Sequence, residues 1–433
     1  MIWNEEIECM APEELRKLQS ERLTAMLKRI YGNVPFYRQL LDENHIDPKK
    51  VKRIDDLPGL PMTVKGDLRD HYPFGMLAVP MSEVREVHAS SGTTGNPTVV
   101  AYTDADIELW GEVMARTLCC AGATPDDIVQ NAYGYGLFTG GLGVHYGALT
   151  MKATVLPIST GGTKRQLKLM QDFNTTVITC TPSYALYMAE EAREAGIDPR
   201  KSNWRVGIYG AEPWSDEMRR EIEAAWDVSA MDIYGLSEII GPGVAQECSG
   251  QDGLHIFSDV FFPEILDRDT HEPVADGCDG ELVITTLTKE ALPLLRYRTG
   301  DIVSITHGQC PHCGRTSPRI SKVRGRTDDM LIIRGINVFP SQIEAVLISV
   351  EGVEPHYQLV VDRTGALDTL EIHVEVSPEV FSDEVKALEV LSKQIKKEIE
   401  SVLSIMVDVK LVEPKTIERS MGKAKRVVDK RNI

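Results

Sequence analysis

The stretch Ser90-Ser91-Gly92-Thr93-Thr94-Gly95-Asn96-Pro97 is the part of the sequence from which fold and function are best inferred. It places four hydroxyl residues and two glycines directly after residues 84–89, in which apolar and polar side chains alternate. Glycine permits positive φ and a close approach of the backbone to a ligand. Backbone N–H groups and hydroxyls can then surround a polyphosphate. A flexible surface linker would have a similar composition, and the octapeptide itself does not separate the two interpretations.

The residues on either side of this loop predict a strand–turn–strand unit. Residues 98–102 are β-branched, aromatic or small, which favours a strand after the loop. A P-loop instead joins a strand to a helix and ends in Gly-Lys-Ser/Thr. The sequence therefore excludes the phosphate loop of kinase-like and GTPase-like nucleotide sites.

Beyond the loop, helices alternate with short apolar strands as far as about residue 240, which predicts a layered α/β domain. The predicted helices are 104–118, 141–150, 166–172, 183–196 and 215–226, and the predicted strands are 127–132, 154–157, 176–180, 204–209 and 229–233. Residues 11–45 predict helix interrupted at Pro35. The segments 260–266, 280–286 and 301–305 predict an antiparallel β region.

The C-terminal part predicts a separate, smaller α+β domain. Its predicted helices are 341–349 and 380–403, and its predicted strands are 357–362, 370–376 and 408–412. The fold class is therefore α/β, with a large N-terminal domain at 1–327 that has a β-rich subdomain, and a small mobile α+β lid domain at 328–433.

Length and charge restrict the function. A chain of 433 residues is longer than one hydrophobic core usually serves. The net charge of −18 argues against nucleic-acid and anionic-membrane partners. The sequence has no apolar run of 18 residues, and residues 1–10 carry three glutamates and no basic residue. We therefore expect no membrane span and no signal peptide, and a cytoplasmic location.

Two further motifs place polar groups at predicted strand ends, where α/β sheets bind ligands. In Asp232-Ile233-Tyr234-Gly235-Leu236-Ser237-Glu238, Tyr234 offers a stacking face for a purine and Glu238 offers an oxygen ligand for Mg²⁺. In Tyr297-Arg298-Thr299-Gly300-Asp301, the carboxylate can accept both hydroxyls of a ribose. A solvated strand end and an ordinary turn aspartate remain the alternatives.

The last two motifs lie in the C-terminal part. The first is Gly325-Arg326-Thr327-Asp328-Asp329-Met330, followed by Arg334-Gly335-Ile336-Asn337. The second is Arg419-Ser420-Met421-Gly422-Lys423-Ala424-Lys425. A lysine on a glycine-hinged loop can bring positive charge to a developing negative charge. A solvated basic tail is the alternative.

Together these five motifs resemble the adenylate-forming superfamily of acyl- and aryl-CoA synthetases and luciferases. Within it the sequence is most similar to the phenylacetate–CoA ligase family. That similarity is carried by residues 133–141 (YGYGLFTGG), 209–214 (YGAEPW) and 235–243 (GLSEIIGPG). The resemblance extends over essentially the whole chain.

The resemblance implies ATP-dependent formation of an acyl-adenylate from an aryl acid, followed by transfer of the acyl group to CoA. It implies that Ser90, Ser91, Gly92, Thr93, Thr94 and Gly95 bind the ATP phosphates. It implies adenine contacts by Glu212, Pro213, Asp232, Ile233, Tyr234 and Gly235, with the hydroxyl of Ser237 beside them. Asp301 would bind the ribose, Arg326 would support the nucleotide, and Glu238 would hold Mg²⁺.

The resemblance also implies two states of the C-terminal domain. Lys423 would bridge the substrate carboxylate and the α-phosphate during adenylation. Asp328 would be the hinge, and rotation about it would withdraw Lys423 and bring Arg334 and Gly335 to the site for the CoA reaction. One site would then serve two reactions in sequence.

The predicted aryl pocket combines flat apolar walls with small residues. By resemblance it is formed by Tyr133, Phe138, Gly141, Gly210 and Ala211. Aromatic packing around a glycine-rich helix start is the alternative. These residues do not separate phenylacetate from hydroxyphenylacetate, indoleacetate or benzoate.

A metal site is predicted from the cysteines. Cys310-Pro311-His312-Cys313 has the two-residue gap of a zinc knuckle. Cys248 and His255 precede the same β region, so Cys248, His255, Cys310 and Cys313 predict a structural zinc site. His312 as the fourth ligand in place of His255, or a CxxC without metal, remain alternatives.

The predicted function is an AMP-forming aryl-CoA ligase that uses ATP with Mg²⁺, CoA and phenylacetate or a close arylacetate, with a homodimer as the expected assembly. One alternative is an adenylating enzyme with another aryl acid or with a carrier-protein thiol as acceptor. A zinc-stabilised binding protein without activity is a second.

Overall fold

A computed structural model describes residues 1–89, 97–326, 331–333, 336–364, 367–381, 385–403, 405–419 and 424–431. The described chain forms two compact units. Unit 1 contains Met1–Thr179, Asn203–Ala211 and Met231–Lys322, and unit 2 contains Cys180–Ser202, Glu212–Ala230 and Val323–Ile433. The boundary predicted between residues 327 and 328 lies outside the described residues, so the domains 1–327 and 328–433 stay a prediction.

Several predicted site residues also lie outside the described part of the chain. They are Ser90, Ser91, Gly92, Thr93, Thr94, Gly95, Asp328, Arg334, Gly335 and Lys423.

The helices follow the predicted apolar periodicity closely. In chain order they are α1 (Glu5–Glu8), α2 (Pro12–Asn33), α3 (Pro35–Glu43), α4 (Lys65–Asp70), α5 (Asp104–Cys120), α6 (Gly140–Met151), α7 (Thr163–Phe173), α8 (Pro182–Glu194), α9 (Asp216–Trp226), α10 (Pro340–Ser349), α11 (Pro378–Phe381) and α12 (Val385–Leu403). Proline opens both α2 and α3, because its missing N–H has no intrahelical partner at that position. At the start of α5, Thr103 and Asp106 exchange side-chain-to-backbone hydrogen bonds in a capping box.

The strands are mostly short. In chain order they are β1 (Glu86–Ala89), β2 (Val99–Tyr102), β3 (Ile128–Asn131), β4 (Thr154–Pro157), β5 (Val177–Cys180), β6 (Val206–Gly210), β7 (Ser229–Leu236), β8 (Gly241–Glu247), β9 (Leu254–Ile256), β10 (Phe261–Leu266), β11 (Gly280–Thr286), β12 (Tyr297–Val303), β13 (Ile305–Thr306), β14 (Arg319–Ile320), β15 (Gly325–Arg326), β16 (Leu331–Ile333), β17 (Ile336–Val338), β18 (Val353–Thr364), β19 (Leu367–Val376), β20 (Asp408–Val412) and β21 (Val427–Asp429).

A nine-stranded mixed sheet organises unit 1, in the order β13-β14-β9-β8-β7-β6-β5-β3-β4. Strand β3 pairs in parallel with β4 and β5, as expected where helices connect successive strands. The antiparallel strands β8 and β9 extend this sheet. Strands β10, β11 and β12 form the predicted antiparallel β region. The predicted layered α/β fold is confirmed.

Strands β1 and β2 form a separate antiparallel pair, with Ala89 opposite Val99. The two strands bracket the segment that contains the Ser/Gly/Thr motif. The strand–turn–strand prediction for its flanks is therefore confirmed.

Unit 2 has its own hydrophobic core. Strands β18 and β19 are antiparallel neighbours, and β21 and β20 join their outer edges in parallel. Apolar side chains of these strands pack with those of α10 and α12, including Ile343, Leu347, Ile395 and Ile399. Most of the predicted helix 380–403 is confirmed, because α11 extends to Phe381 and α12 covers Val385–Leu403, while residues 382–384 lie outside the described residues.

Two motif positions differ from the prediction. Asp232–Tyr234 lie inside β7, which continues to Leu236, and Asp301 lies inside β12 rather than at a strand end. Between Glu281 and Val283 the register of β11 with β12 shifts, and Gly300 has a φ of 77° there. Such a bulge bends a strand and changes the direction of its side chains. The 297–301 motif, which suggested a turn, is therefore part of the continuous strand β12.

Within the described residues, the helices include none with the length and apolarity needed to cross a bilayer.

Candidate active site and metal site

Tyr234 and Asp301 are 67 residues apart in the sequence and are in contact in the structure. The phenolic hydroxyl donates a 2.6 Å hydrogen bond to Oδ2 of Asp301, and both side chains are buried. Tyr234 belongs to β7 of the nine-stranded sheet, whereas Asp301 belongs to β12. The Asp301 backbone N–H donates to the hydroxyl of Thr299, within the bulge that aims the aspartate. Two residues predicted for adenosine binding are therefore in contact within unit 1.

The Glu238 carboxylate, predicted to hold Mg²⁺, lies just beyond the end of β7 and is buried. Its Oε1 is 3.4 Å from the ammonium of Lys65, the first residue of α4. One residue earlier, the hydroxyl of Ser237 lies 3.2 Å from that of Thr139. The Glu238 carboxylate is thus paired with a cation, and the residue before it in the sequence is in contact with Thr139 of the 133–141 motif.

Close backbone approach joins two of the glycine-rich motifs. A Cβ on Gly241, which has a φ of 101°, would lie 2.6 Å from the Trp110 ring and 2.8 Å from Cβ of Thr139. A Cβ on Gly235 would lie 2.1 Å from the carbonyl oxygen of Gly241. A larger residue at Gly241 would therefore push this segment away from Thr139 of the 133–141 motif, and one at Gly235 would push β7 away from Gly241.

A buried lysine lies beneath this turn. Lys289 Nζ donates to the carbonyl of Ile239 at 2.9 Å and lies 4.7 Å from the ring centroid of Tyr102. Burial lowers the pKa of Lys289 to about 8, although the carboxylates of Asp106 and Glu238 oppose the shift. Tyr102 in turn stacks on the Trp110 ring, with centroids 4.9 Å apart.

The residues predicted for the aryl pocket fall into two groups in unit 1. A Cβ built on Gly140 would lie 3.0 Å from the ring of Phe138 and 3.5 Å from Cβ of Tyr133, so both aromatic residues lie close to the start of α6. A Cβ built on Gly141 would lie 2.5 Å from the carbonyl oxygen of Gly134, so only glycine allows this close approach.

The second group lies at the end of β6. A Cβ on Gly210 would lie 2.4 Å from the carbonyl oxygen of Ile233, so the strand end packs directly on the 232–238 motif. Ala211 follows with a φ of 69°, a left-handed conformation that is uncommon for a residue with a side chain. The chain therefore turns sharply at this position.

In unit 2, the Glu212 carboxylate accepts two backbone hydrogen bonds. Its Oε1 accepts from the N–H of Ser183 and its Oε2 accepts from the N–H of Ala424, each at 2.9 Å. The neighbouring Pro213 is exposed, and Arg326 is the half-buried second residue of β15.

The four predicted metal ligands come together in unit 1. The ligand atoms of Cys248, His255, Cys310 and Cys313 all lie within 4.8 Å of one another. Cys248 Sγ is 3.9 Å from Cys310 Sγ, and Cys313 Sγ is 3.3 Å from His255 Nε2. A tetrahedral Zn²⁺ with ordinary bond lengths would separate two sulfurs by about 3.8 Å and a sulfur from a nitrogen by about 3.5 Å. The Cys248–Cys310 and Cys313–His255 distances are close to these values.

His255 rather than His312 belongs to this cluster. The Nδ1 of His255 lies 3.3 Å from the hydroxyl of Ser317, the kind of outer contact that fixes the ring of a metal-binding histidine. His312 is exposed, and its ring lies against Gly250. The peptide around the two cysteines folds back on itself, because Gly314 N–H donates to the carbonyl of Cys310.

Comparison with known proteins agrees with this geometry. Residues 82–288 match the AMP-binding enzyme family, and residues 335–431 match the AMP-binding enzyme C-terminal domain. The chain is 51% identical to the phenylacetate-coenzyme A ligase of Thermus thermophilus, over 100% of both chains. It is 48% identical to that of Escherichia coli K12, over 99% of this chain and 97% of the relative. The chain belongs to the phenylacetate-coenzyme A ligase family of AMP-binding enzymes.

Solved structures support the membership. The fold of this family member matches 2-hydroxyisobutyryl-CoA ligase in the postadenylation state with a TM-score of 0.93 and 30% identity, over 98% of this chain and 92% of the other. Against the same enzyme with CoA in the thioesterification state, the TM-score is 0.72 at 31% identity, over 99% and 92% of the two chains. The predicted membership of the phenylacetate-coenzyme A ligase family and of the adenylate-forming superfamily is confirmed.

Sequence reasoning missed three residues of this family member's candidate site. They are Lys65, Thr139 and Lys289. Lys65 and Lys289 stand among ordinary polar and apolar neighbours, so no local pattern marked them. Thr139 was inside the 133–141 motif, and its place next to two glycines was the one available signal.

Proposed function

We propose that the protein is an AMP-forming ligase that converts phenylacetate, ATP and CoA to phenylacetyl-CoA, AMP and pyrophosphate. The observation that carries this proposal is the identity of 48–51% to four phenylacetate-coenzyme A ligases over 98–100% of the chain. The reaction class needs ATP, CoA and an acid, and the match to both AMP-binding family regions supports this set of substrates.

The reaction would proceed in two steps. In the first, a carboxylate oxygen of phenylacetate attacks the α-phosphorus of ATP, and the bond to pyrophosphate breaks. In the second, the CoA sulfur attacks the acyl carbon, the thiol proton passes to solvent, and AMP leaves. The enzyme gains rate chiefly by holding the reacting groups in line and by neutralising developing charge.

The adenosine contacts are proposed from the 232–238 and 297–301 motifs. Asp301 would accept the ribose hydroxyls, and its contact with Tyr234 supports this role because it places the carboxylate beside an aromatic ring. Asp232, Ile233, Tyr234 and Gly235, with Glu212 and Pro213, would frame the adenine. Arg326 would support the nucleotide.

The phosphate contacts are proposed from the Ser90–Gly95 loop and from Lys423. Ser90, Ser91, Gly92, Thr93, Thr94 and Gly95 would donate hydrogen bonds to the phosphates. Lys423 would approach the α-phosphate and the substrate carboxylate during the first step. Asp328 would act as the hinge, and Arg334 and Gly335 would take the place of Lys423 for the CoA step.

Mg²⁺ would be held by Glu238 together with the phosphates, where it would neutralise phosphate charge. The buried carboxylate is the kind of oxygen ligand that this cation prefers, and it directly follows the hydroxyl of Ser237 in the sequence. The Lys65 ammonium at 3.4 Å would add a second positive charge beside the same carboxylate.

Phenylacetate is proposed as the acid because of the family. The proposed aryl pocket is formed by Tyr133, Phe138, Gly141, Gly210 and Ala211. The alternatives are indoleacetate or benzoate as the acid, and a carrier protein as the acceptor. A panel of these acids with ATP and CoA, followed by AMP release, tests the choice. We expect the highest kcat/KM with phenylacetate and a CoA thioester without any added protein. Faster turnover of benzoate, or AMP release without thioester, would contradict the proposal.

We also propose that Cys248, His255, Cys310 and Cys313 hold one structural Zn²⁺. The closeness of the four ligand atoms, which all lie within 4.8 Å of one another, supports it, as does the Ser317 contact to His255. Four protein ligands close the coordination sphere, so the ion would stabilise the fold and take no part in the reaction. A cytoplasmic location and a homodimer stay predictions.

A further inference from the structure

The Glu212 carboxylate joins a helix start to the C-terminal chain inside unit 2. Its two oxygens accept from the N–H groups of Ser183 and Ala424. Ala424 directly follows Lys423 in the sequence. One carboxylate thus fixes the backbone one residue away from the proposed catalytic lysine.

The helix start makes Glu212 a firm anchor. Pro182 is the first residue of α8 and has no N–H, so Ser183 supplies the first N–H of the helix. The helix N-terminus also attracts negative charge. A carboxylate that accepts from backbone N–H groups makes stronger bonds than a neutral acceptor. The hydrogen bond from Ser183 therefore orients the Glu212 carboxylate, which also accepts from Ala424.

The chain is anchored on the other side of the lysine as well. Arg419 donates to both oxygens of Glu375, at 2.7 and 2.8 Å, and the Glu375 side chain is fully buried. The same guanidinium reaches Glu190 on α8 at 3.4 Å. Residues 419 and 424 are thus each fixed in unit 2, and Lys423 lies between them in the sequence.

We propose that Glu212 is a positioning residue for adenylation, because it holds the backbone of Ala424, the residue that follows Lys423 in the sequence. This inference rests on the proposed function, and it changes one part of it. Because both carboxylate oxygens already accept N–H bonds, contact with the adenine falls to the backbone at 212 and to Pro213. The carboxylate then affects the rate of adenylation and leaves ATP binding unchanged. It takes no part in the CoA step, from which Lys423 is withdrawn.

Glu212→Gln tests this with almost no change of side-chain size. The amide has one accepting oxygen, so one of the two N–H bonds is lost. Pyrophosphate release without CoA measures adenylation, and conversion of supplied acyl-adenylate with CoA measures thioesterification. We expect the adenylation kcat to fall about 10- to 100-fold, from the loss of a charged hydrogen bond. The ATP KM and the thioesterification rate should stay within about twofold, by the same reasoning.

A matched control is Glu217→Gln, because Glu217 pairs with Arg220 on the exposed side of α9. Both half-reactions of this variant should equal those of the wild type. An equal fall of both half-reactions in Glu212→Gln would indicate a merely structural role and overturn the proposal. A higher ATP KM with unchanged kcat would assign the carboxylate to adenine instead and overturn it too.

The outcomes distinguish a failure of the positioning role of Glu212 from a failure of the proposed ligase function. The acid used is whichever one releases pyrophosphate fastest with the wild-type protein, so a different substrate preference leaves the positioning test intact. If the wild-type protein releases no pyrophosphate with any aryl acid, the proposed function fails, and the positioning role fails with it. A normal wild-type rate with an unaffected Glu212→Gln variant would contradict the positioning role alone.

Discussion

The hydroxyl of Tyr234 donates a 2.6 Å hydrogen bond to Oδ2 of Asp301, and both side chains are buried. The bond connects the central strand β7 with the bulged strand β12. A buried carboxylate that accepts from a phenol is held in one orientation, and a buried polar pair of this kind is costly to break. The hydrogen bond therefore contributes to the alignment of these strands, and it joins two side chains that we propose to bind the nucleotide.

Asp301→Asn should weaken ATP binding more than Tyr234→Phe. The first substitution replaces the proposed charged acceptor of the ribose hydroxyls, and we expect the ATP KM to rise about 10- to 100-fold. The second removes one neutral donor, and a rise of about 2- to 10-fold is expected. Steady-state kinetics with varied ATP check both, with the KM for phenylacetate as the internal control. Unchanged ATP KM in Asp301→Asn would contradict the ribose assignment.

Local pattern was enough to predict the layered fold and the metal cluster. Alternation and helical periodicity act over a few residues, so strands such as β4 and β11 were predicted with their observed bounds. For the metal cluster, the Cys310-x-x-Cys313 spacing is a local pattern. A structural zinc ion has four protein ligands, so two more had to be found elsewhere in the sequence. Cys248 and His255 were then found by residue type and position, and the structure brings the four together.

Long-range contacts and strand irregularities could not be predicted in this way. The bulge at Gly300 follows from the pairing of β12 with β11, and a Gly-Asp pair by itself equally suits a turn. The Lys65–Glu238 pair joins residues 173 positions apart, and the contact of Lys289 with Tyr102 joins residues 187 positions apart. Such partners depend on tertiary packing, which no local window of the sequence contains.

Lys423→Ala should separate the two half-reactions. The lysine is proposed to neutralise charge only while the acyl-adenylate forms, so that step should become undetectable. Supplied phenylacetyl-adenylate should still react with CoA at a rate within about twofold of the wild type. Pyrophosphate release and thioester formation, measured separately, check this. Full adenylation by the variant would rule out the assignment of Lys423, and Lys430→Ala serves as a control for loss of basic charge near the C-terminus.

Combined Cys310→Ser and Cys313→Ser substitution should remove the metal. We expect the wild type to carry about one Zn²⁺ per chain and the variant almost none, with a melting temperature several degrees lower. Elemental analysis and thermal unfolding measure the two effects. The control is Cys278→Ser, which changes an exposed cysteine outside the cluster and should retain the metal. Equal zinc content in all three proteins would refute the site.

Single histidine variants test which imidazole is the fourth ligand. His255→Ala should lose most of the zinc, because Nε2 of this residue lies 3.3 Å from Cys313 Sγ. His312→Ala should keep it, because its side chain is exposed and outside the cluster. The reverse result would assign His312 to the metal and contradict the observed arrangement.

Stability at alkaline pH should depend on Lys289. Burial lowers the pKa of its ammonium from 10.5 to about 8 in the folded protein. Between these two values the unfolded chain binds the proton and the folded chain releases it, so raising the pH favours folding. Below pH 8 both states are charged, and folding bears the full cost of burying the charge. The shift corresponds to about 3 kcal/mol, gained as the pH rises from 8 to 10.5.

Lys289→Met removes this titration and keeps a side chain of similar length. The melting temperatures of wild type and variant, measured in parallel from pH 7.5 to 10, should therefore diverge in favour of the wild type as the pH rises. Other alkaline titrations are common to both proteins and cancel in the difference. Lys168→Met is the control, because Lys168 is largely exposed and pairs with Asp172 one helical turn away, and its difference from the wild type should stay nearly flat. A pH-independent difference for Lys289→Met would mean that the buried amine keeps its proton throughout this range, stabilised by Asp106 and Glu238 more strongly than burial opposes it.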